Sequence, residues 1–451
     1  MTASLLWRII VTKITSMSCA SAIALAFLLP VSAQAQSADD SIVVTATGSD
    51  LPIIATGQAI SVIDRDALRR LQSTTVADAL RTLPGVSVAQ SGGLGAATSV
   101  FVRGGNSSQT LVLIDGVRIN DLSSPNGAFD FGALTSANVD RIELLRGSNS
   151  VVWGSQAIGG VIDIRHVGAG GPLRIDGGAE YGFADTARIN GNIAGGVGIL
   201  AYSLGGAYVR TDGISALANN AEQDGYRNLS LNGKLVANLA SNVALDLRGY
   251  YIHGKLMSDD RFETLPLSDP RSDNEQFVAY AGVNASTFDG RMNHRLSYTR
   301  TDVTRRGTDP YADAFTPISF NNYEADAQID QFAYRMDWRA NDLVQLIGGI
   351  EHERSAVVTN MPANAPFSPV ESRQKLRSTS EYIQAVFSPT RTLNVTGGVR
   401  HDDYRLYGSA TTFGGNVAWQ PFGAQTTLRA AYAEGFRVPT MADTLPPFGN
   451  A

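Results

Sequence analysis

The chain has 451 residues, a formal net charge of −6, glycine at 45 positions and charged residues at only 17 %. A balance of this sign with no basic cluster excludes a nucleic-acid partner, which needs concentrated Lys and Arg to displace counterions. The charged fraction lies below the roughly 25 % of ordinary soluble domains; with a mean hydropathy near zero, it fits strands that are apolar on one face and polar on the other, in a barrel or in a soluble glycine-rich β-protein.

Taken in order, Arg8 and Lys13 precede the apolar run Ala20–Val31, and Ala33-Gln34-Ala35 supplies small residues at cleavage positions. Residues 1–35 therefore read as a secretory signal peptide. Its apolar run is well short of the roughly 20 residues that a membrane-spanning helix needs. Cleavage after Ala35 leaves 416 residues, and the single cysteine, Cys19, leaves with the signal, so the mature chain forms no disulfide. No later apolar stretch is long enough for a spanning helix, so any membrane passage is by strands. Residues 36–50 are a polar leader around DSIVVTAT (Asp40–Thr47). Its β-prone core is either the first strand of the next domain or an exposed segment that adds to the sheet edge of another protein.

Residues 51–168 read as a compact α/β unit. Ala59–Ile63 is a strand and Arg65–Leu71 a short helix. Thr75 and Asp78 form a capping box for a helix over Val76–Leu83, which Pro84-Gly85 stops. Val86–Val88 and Ser99–Arg103 are strands. Leu111–Ile114 and Val117–Asn120 flank the turn pair Asp115-Gly116 in a hairpin. Val139–Arg146 and Gly160–Arg165 close the unit. Beyond it, in residues 169–451, the period changes to two: Leu229, Leu231, Leu235 and later Val243, Leu245, Leu247 alternate with polar neighbours. Segments of about 9–11 residues would cross a membrane as tilted strands. Asn192, Asn219-Asn220, Asp259-Asp260 and Pro310 are placed in turns, and Ser258–Asn274 and Ala356–Lys375 in the longest loops.

The pieces SVIDRDALRRLQSTTVADALRTLPGVSV, VFVRGG, VLIDGVRIN and VDRIELLRGSNSVVWGSQAIGGVIDI occur in one order over about 110 residues. This stretch resembles the plug of TonB-dependent outer-membrane receptors, and within them the vitamin B12 (cobalamin) receptor group. The resemblance implies a transmembrane antiparallel β-barrel whose bore holds an N-terminal α/β plug, in the outer membrane of a Gram-negative bacterium. It also resolves the short β-prone run as a TonB box: Ser41, Ile42, Val43, Val44, Thr45 and Ala46. Arg103, Glu143 and Arg146 are charges set in apolar or glycine-rich strands; the resemblance places them at the plug–barrel boundary, pairing across it. It further suggests calcium in the outer loops, with Asp224, Asp259, Asp260, Asp269 and Asp273 as ligands, although solvated acidic loops account for these residues equally well.

The family barrel has about 22 strands, whereas residues 167–451 suffice for roughly 12–14, and AEGFRVPT (Ala433–Thr440) resembles a motif found well before the family's C-terminus. The expectation is a partial barrel, from a fragment or a truncated product. No catalytic constellation or phosphate-binding loop stands out, and the histidines lack metal-ligand spacing, so an enzyme is not expected. The implied function is energy-coupled uptake of a large scarce nutrient, cobalamin first, with a ferric siderophore as the alternative. A receptor fragment without transport, or a surface binding protein, is the reading from another class. Implied partners are the inner-membrane TonB complex, the nutrient, and outer-membrane lipid and lipopolysaccharide around a monomer.

Overall fold

A computed structural model describes residues 42–43, 46, 48–49, 51–124, 127–215, 223–258, 270–311, 319–361, 370–424 and 426–439. The signal peptide, Ser41, Val44, Thr45, Asn219-Asn220, Asp259, Asp260 and Asp269 lie outside these described residues.

The first half builds the α/β unit. Strand β1 (Ile42–Val43) pairs antiparallel with β2 (Leu51–Pro52). There follow β3 (Ala59–Asp64), α1 (Arg65–Leu71), α2 (Val76–Arg81), β4 (Val86–Gln90), β5 (Thr98–Val102), β6 (Thr110–Ile114), β7 (Val117–Arg118), β8 (Val139–Arg146), α3 (Ser150–Trp153) and β9 (Gly160–His166). The capping box forms as its spacing predicts: Asp78 N–H donates to Thr75 Oγ1 at 3.1 Å, and Thr75 N–H to Asp78 Oδ2 at 3.3 Å. The hairpin also forms, with Ile114 opposite Val117. Its turn needs two left-handed residues, and Asp115 (φ 50°) and Gly116 (φ 76°) supply them. Five strands join in the order β3-β8-β9-β6-β7, with β6 parallel to β9. Ile142, Leu144, Ile162 and Ile164 are fully buried at the centre of this sheet.

The second half is one antiparallel sheet: β10 (Arg174–Gly182), β11 (Thr186–Val197), β12 (Leu200–Thr211), β13 (Tyr226–Ala240), β14 (Val243–Met257), β15 (Arg271–Thr287), β16 (Met292–Tyr311), β17 (Ser319–Arg339), β18 (Val344–Met361), β19 (Val370–Thr390), β20 (Leu393–Tyr404), β21 (Gly408–Trp419) and, after the short β22 (Pro421–Ala424), β23 (Leu428–Ala433). Among the described residues it has 13 strands, each beside its sequence neighbour except that β23 follows β21. Its faces differ as period two requires. On β19, Ser380 (4 % exposed) and Gln384 (5 %) face inward, and Ile383 (50 %) and Phe387 (44 %) face outward. Polar inside and apolar outside is the reverse of a soluble sandwich, and it is the pattern of a wall set in lipid. The plug packs against the inner face, where Tyr250, Ile252, Val278 and Tyr280 of β14 and β15 join its core beside Ile119, Phe129 and Phe131.

Connections at one end are short (198–199, 241–242, 288–291, 340–343 and 391–392), and the long ones, through 212–225 and 258–270, lie at the other. Short turns mark the periplasmic end of such a barrel and long loops the extracellular end. Several strands outrun the expected 9–11 residues, β17 and β19 reaching 21 each. They continue as β-ribbon beyond the membrane, which corrects the loop boundaries. Arg271–Asn274, Ala356–Met361 and Val370–Lys375 are strand, not loop. Asn192 is not in a turn either: it lies on β11, buried, and bonds Ser203 Oγ at 3.3 Å and Leu204 O at 3.2 Å. Pro310 lies on β16 opposite Phe320.

The outward face carries a quantitative expectation. Ile383→Arg, near the middle of the lipid-facing part of β19, should destabilise the barrel by about 2–4 kcal/mol, whereas Thr379→Arg, nearer the extracellular end, should cost about 0–1 kcal/mol. Unfolding equilibria in lipid vesicles measure both.

Candidate functional site

The site is the boundary between plug and barrel together with the segment that enters it from the N-terminus. Within that segment, Val43 and Ala46 are buried, at 0 % and 3 % exposure. Ala46 packs on Leu111, Leu113, Leu145 and Val161 of the plug sheet, and Asn149 Nδ2 donates to its carbonyl at 2.8 Å. Of the run read from sequence as exposed and ready to pair, the described residues Val43 and Ala46 are therefore buried. Further along, Arg335 of β17 donates to Ser49 Oγ at 2.9 Å, Asn416 Oδ1 accepts from Gly57 N–H at 2.9 Å, and Arg429 Nε donates to Thr56 O at 3.0 Å. Polar side chains of the barrel thus staple residues 49–57 to its wall.

The three charges expected to pair across the boundary are placed differently. Arg146 donates from Nε to Pro84 O at 2.9 Å and from Nη1 to Ser61 Oγ at 2.8 Å, both within the plug. Burial, and Arg103 nearby, push its guanidinium below the ordinary value. Glu143, 1 % exposed, ion-pairs with Arg141 at 3.0 Å and Arg165 at 3.7 Å on its own sheet. Arg103 is exposed at φ 51°, and its N–H donates to Gly85 O at 2.7 Å. The reason is positional: β8 lies between β3 and β9, so its charges meet neighbouring plug strands before they meet the barrel.

Other residues bridge the two domains. Arg118 on β7 reaches Glu351 on β18 at 3.0 Å. Glu351 also takes Arg400 of β20 at 2.9 Å, and Arg400 in turn pairs with Asp402 at 2.9 Å. Ser380 closes the chain by donating to Asp402 at 2.6 Å. The Arg400 guanidinium lies over the Tyr382 ring, 5.6 Å from its centroid. It presses on Gly154, where an added Cβ would sit 2.9 Å from a guanidinium nitrogen and φ is +72°. A second bridge joins Arg305 of β16 to Asp121, with Asp130 at 3.8 Å. Arg65 holds Asp176 of β10 at 2.8 Å, and Gln276 donates to Ile119 O at 3.1 Å. Sequence reading passed over these residues, although Asp246/Arg248, Arg300/Asp302 and Arg400/Asp402 share one signal: opposite charges two apart on a strand, hence on one face.

Several cavities lie along the boundary, and two of them are lined by charged groups of both plug and wall. One, of about 100 Å³, is lined by Arg118, Gln156, Glu351, Glu353, Arg400 and Tyr404. The other, about 670 Å³ at the periplasmic end, is lined by Ser49, Asp115, Arg165, Lys234, Arg295 and Arg335 among others. Of the proposed calcium ligands, Asp273 ion-pairs with Lys255 at 3.0 Å and with His253 at 2.8 Å, and Asp224 is buried ahead of β13. Among the described residues no group of three or more His, Cys, Asp or Glu could hold a metal ion.

An α/β domain packed on the polar inner face of a wall of 13 antiparallel strands that are apolar outside, with Val43 and Ala46 of its N-terminal segment buried, is the arrangement of a plugged outer-membrane barrel. Family models agree: one for the TonB-dependent receptor plug domain matches residues 52–161, and one for the TonB-dependent receptor-like β-barrel matches residues 176–451. The chain belongs to the TonB-dependent receptor family. It is 30 % identical over 430 residues to the vitamin B12 transporter BtuB of Photobacterium profundum, covering 92 % of this chain and 65 % of that protein. To the vitamin B12 transporter BtuB of Vibrio vulnificus it is 27 % identical over 440 residues, covering 95 % and 68 %. The chain thus spans about two thirds of these relatives. Among solved structures, the ferripyoverdine receptor of Pseudomonas aeruginosa matches with a TM-score of 0.73 at 16 % identity, over 90 % of this chain and 61 % of that one. The alcaligin receptor FauA of Bordetella pertussis matches at 0.70 and 18 %, over 91 % and 68 %. These likenesses show the fold, a plug inside an outer-membrane barrel.

Two outcomes follow from the plug's chemistry. Asn149→Ala removes the side chain that holds Ala46, a loss of about 0.5–1.5 kcal/mol; hydrogen exchange of the 42–46 amides should quicken while that of β8 and β9 is unchanged. The second concerns pH. Burial pushes the Asp163 carboxyl up to about 6, Glu143 adds to the rise, and Arg165 offsets only part of it. Since the folded carboxyl holds its proton more tightly than the unfolded one, its contribution to stability is best below about pH 4 and declines as pH rises through about 6. Asp115 acts oppositely: burial would raise it, but His166 and Arg248 hold it at about 2, so its contribution is intact above about pH 4 and lost toward pH 2. Asp163→Asn should abolish the decline between pH 4 and 6, at most about 3 kcal/mol, as read by denaturant unfolding of the plug across that range.

Proposed function

We propose that this chain takes up cobalamin (vitamin B12) across the outer membrane, driven through the TonB complex of the inner membrane. The observation that carries the ligand is 30 % identity over 430 residues to a protein named as a vitamin B12 transporter. In this reading the ligand seats on the extracellular side of the plug, and the inner-membrane partner takes hold of Ile42–Ala46 once that run leaves its place. The path opens on the β16–β20 side. There the plug is held by ion pairs around the smaller cavity, whereas on the β14–β15 side it is anchored by apolar packing.

A ferric siderophore is the competing ligand, because structural neighbours at similar TM-scores are siderophore receptors. Equilibrium binding of cyanocobalamin and of ferric siderophores to protein purified from outer membranes separates the two. Uptake of labelled cobalamin by cells lacking their own receptor adds the transport readout. Saturable cobalamin binding, with uptake that stops when the proton gradient is collapsed, is expected. Saturable siderophore binding with no cobalamin binding would overturn the ligand assignment.

A further inference from the structure

The larger cavity between plug and wall, about 670 Å³ at the periplasmic end, carries two couples of like charge on its barrel side. Lys234 of β13 is directly opposite Arg248 of β14, and Arg295 of β16 is directly opposite Arg335 of β17. Their other neighbours in these rows are uncharged: Ser203 and Tyr280 flank the first couple, Asn284 and Gly349 the second. Arg339, at the end of β17, lines the same cavity. Like charges directly opposite one another on a sheet repel and weaken it.

The carboxylates around the cavity are engaged elsewhere. Asp246 pairs with Arg248, Asp115 with His166 at 2.9 Å, and Glu143 and Asp163 with Arg141 and Arg165 of the plug. Asp140 lies 3.8 Å from Arg65. Asp337 lines the cavity but accepts from Gln345 Nε2 at 2.7 Å. Among the described residues, none of Lys234, Arg295 and Arg339 ion-pairs; Arg295 Nε donates to the neutral Asn284 Oδ1 at 2.8 Å. These three cations outnumber Asp337, the remaining carboxylate of the lining.

The place of the cavity says where an occupant comes from. On β14, Tyr250 and Ile252 follow Arg248 toward the long loop, and both are packed in the plug core. The seated plug therefore stands between the cavity and the extracellular side, and an occupant enters from the periplasm. A cleft lined by one sign of charge concentrates counter-ions. Arginine forks match the oxygens of phosphate or carboxylate two at a time. Two separate couples facing one cavity suit an anion whose charge is spread over two groups. Arg165 lines the cavity from the plug side, so such an anion touches both domains.

We propose that this cavity binds a small multivalent oxyanion of the pyrophosphate type from the periplasm, and that the bound anion clamps plug to wall. Lys234 and Arg295 are its principal ligands, with Arg248 and Arg335 beside them. The anion offsets the repulsion within each couple, and because it is held only while the plug is seated, it stabilises that arrangement.

The test is isothermal titration calorimetry of the receptor purified from outer membranes, with pyrophosphate, with inorganic phosphate, and with chloride at matched ionic strength. Denaturant unfolding of the plug is followed in the same three salts. The wild-type protein should bind pyrophosphate saturably and more tightly than phosphate, and pyrophosphate should raise the unfolding midpoint of the plug above its value in chloride. The double variant K234Q/R295Q should bind pyrophosphate about a hundredfold less well, about tenfold for each charged hydrogen bond lost, and its midpoint should be the same in all three salts. Arg306→Gln, which removes a charge at the far end of the barrel, should behave as the wild type does. Heat-modifiable migration reports whether each variant is folded; should the double variant misfold, Lys234→Gln alone decides, with about a tenfold loss expected. Equal binding by the wild type and the cavity variants would overturn the proposal. So would a midpoint that follows ionic strength alone, or no saturable pyrophosphate binding by the wild type.

Discussion

A strand in hydrocarbon has no water to satisfy its backbone, so every N–H and C=O must be paired by a neighbouring strand. The rest of this structure follows from that requirement. Pairing fixes a period of two, lipid takes one face for apolar side chains, and polar groups are left on the other. A domain that fills the bore must then present polar groups to a polar wall. The plug does so through Arg118, Asp121, the carbonyls of Ile54 and Thr56 and the N–H of Gly57, while most of its apolar residues pack in its own core. It is a folded domain held mostly by hydrogen bonds and ion pairs, which water can replace when it moves.

The boundary is not uniform. On the β14–β15 side four barrel residues, Tyr250, Ile252, Val278 and Tyr280, belong to the plug core itself, and burying such side chains is worth roughly 1.5–3 kcal/mol each. On the β16–β20 side ion pairs accompany a smaller apolar contact, Leu122 of the plug against Val303, Ala327 and Val357. A buried ion pair contributes little net stability against desolvation, yet leaving one partner unpaired costs several kcal/mol. Glu351 makes that side cooperative, because Arg118 of the plug and Arg400 of the wall share one carboxylate. Separating plug from wall there leaves Glu351 still paired with Arg400, but Arg400 then stands alone beside two carboxylates, Glu351 and Asp402.

Local rules made the plug legible in the sequence. The Thr75–Asp78 box, the Asp115-Gly116 turn and the apolar strands β6, β8 and β9 each follow from a few neighbouring residues. Strand alternation announced the wall but not where each strand leaves the membrane, since a β-ribbon has the same period on both sides of the interface. The charges misled because composition does not say which strand lies next to which. Arg146 and Glu143 looked like boundary residues until β8 was found between two plug strands. The pair Arg118–Glu351 joins residues 233 apart in sequence, beyond any local pattern. The i, i+2 pairs of opposite charge were readable, but their face was not: Arg400 and Asp402 turn inward, whereas Arg300 and Asp302 lie on the outward side with Tyr298 and Phe332.

Chain order also sets what a force on the N-terminal run would meet. The two-residue ladder of β1 with β2 and the single bond from Asn149 to Ala46 come first. Next are Ser49, Ile54, Thr56 and Gly57, each tied to the wall by one side chain, Arg335, Gln420, Arg429 or Asn416. None of these is an ion pair, and such bonds contribute about 0.5–1.5 kcal/mol net apiece, or up to about 3 where the donor is charged. They yield one at a time along the chain rather than together. Only then does the load reach β3, an edge strand with a single neighbour, β8. Peeling β3 removes one side of the plug sheet but leaves β8, β9 and β6, where Ile142, Leu144, Ile162 and Ile164 are packed. The weakest contacts therefore stand first in line, and the apolar centre of the plug stands last.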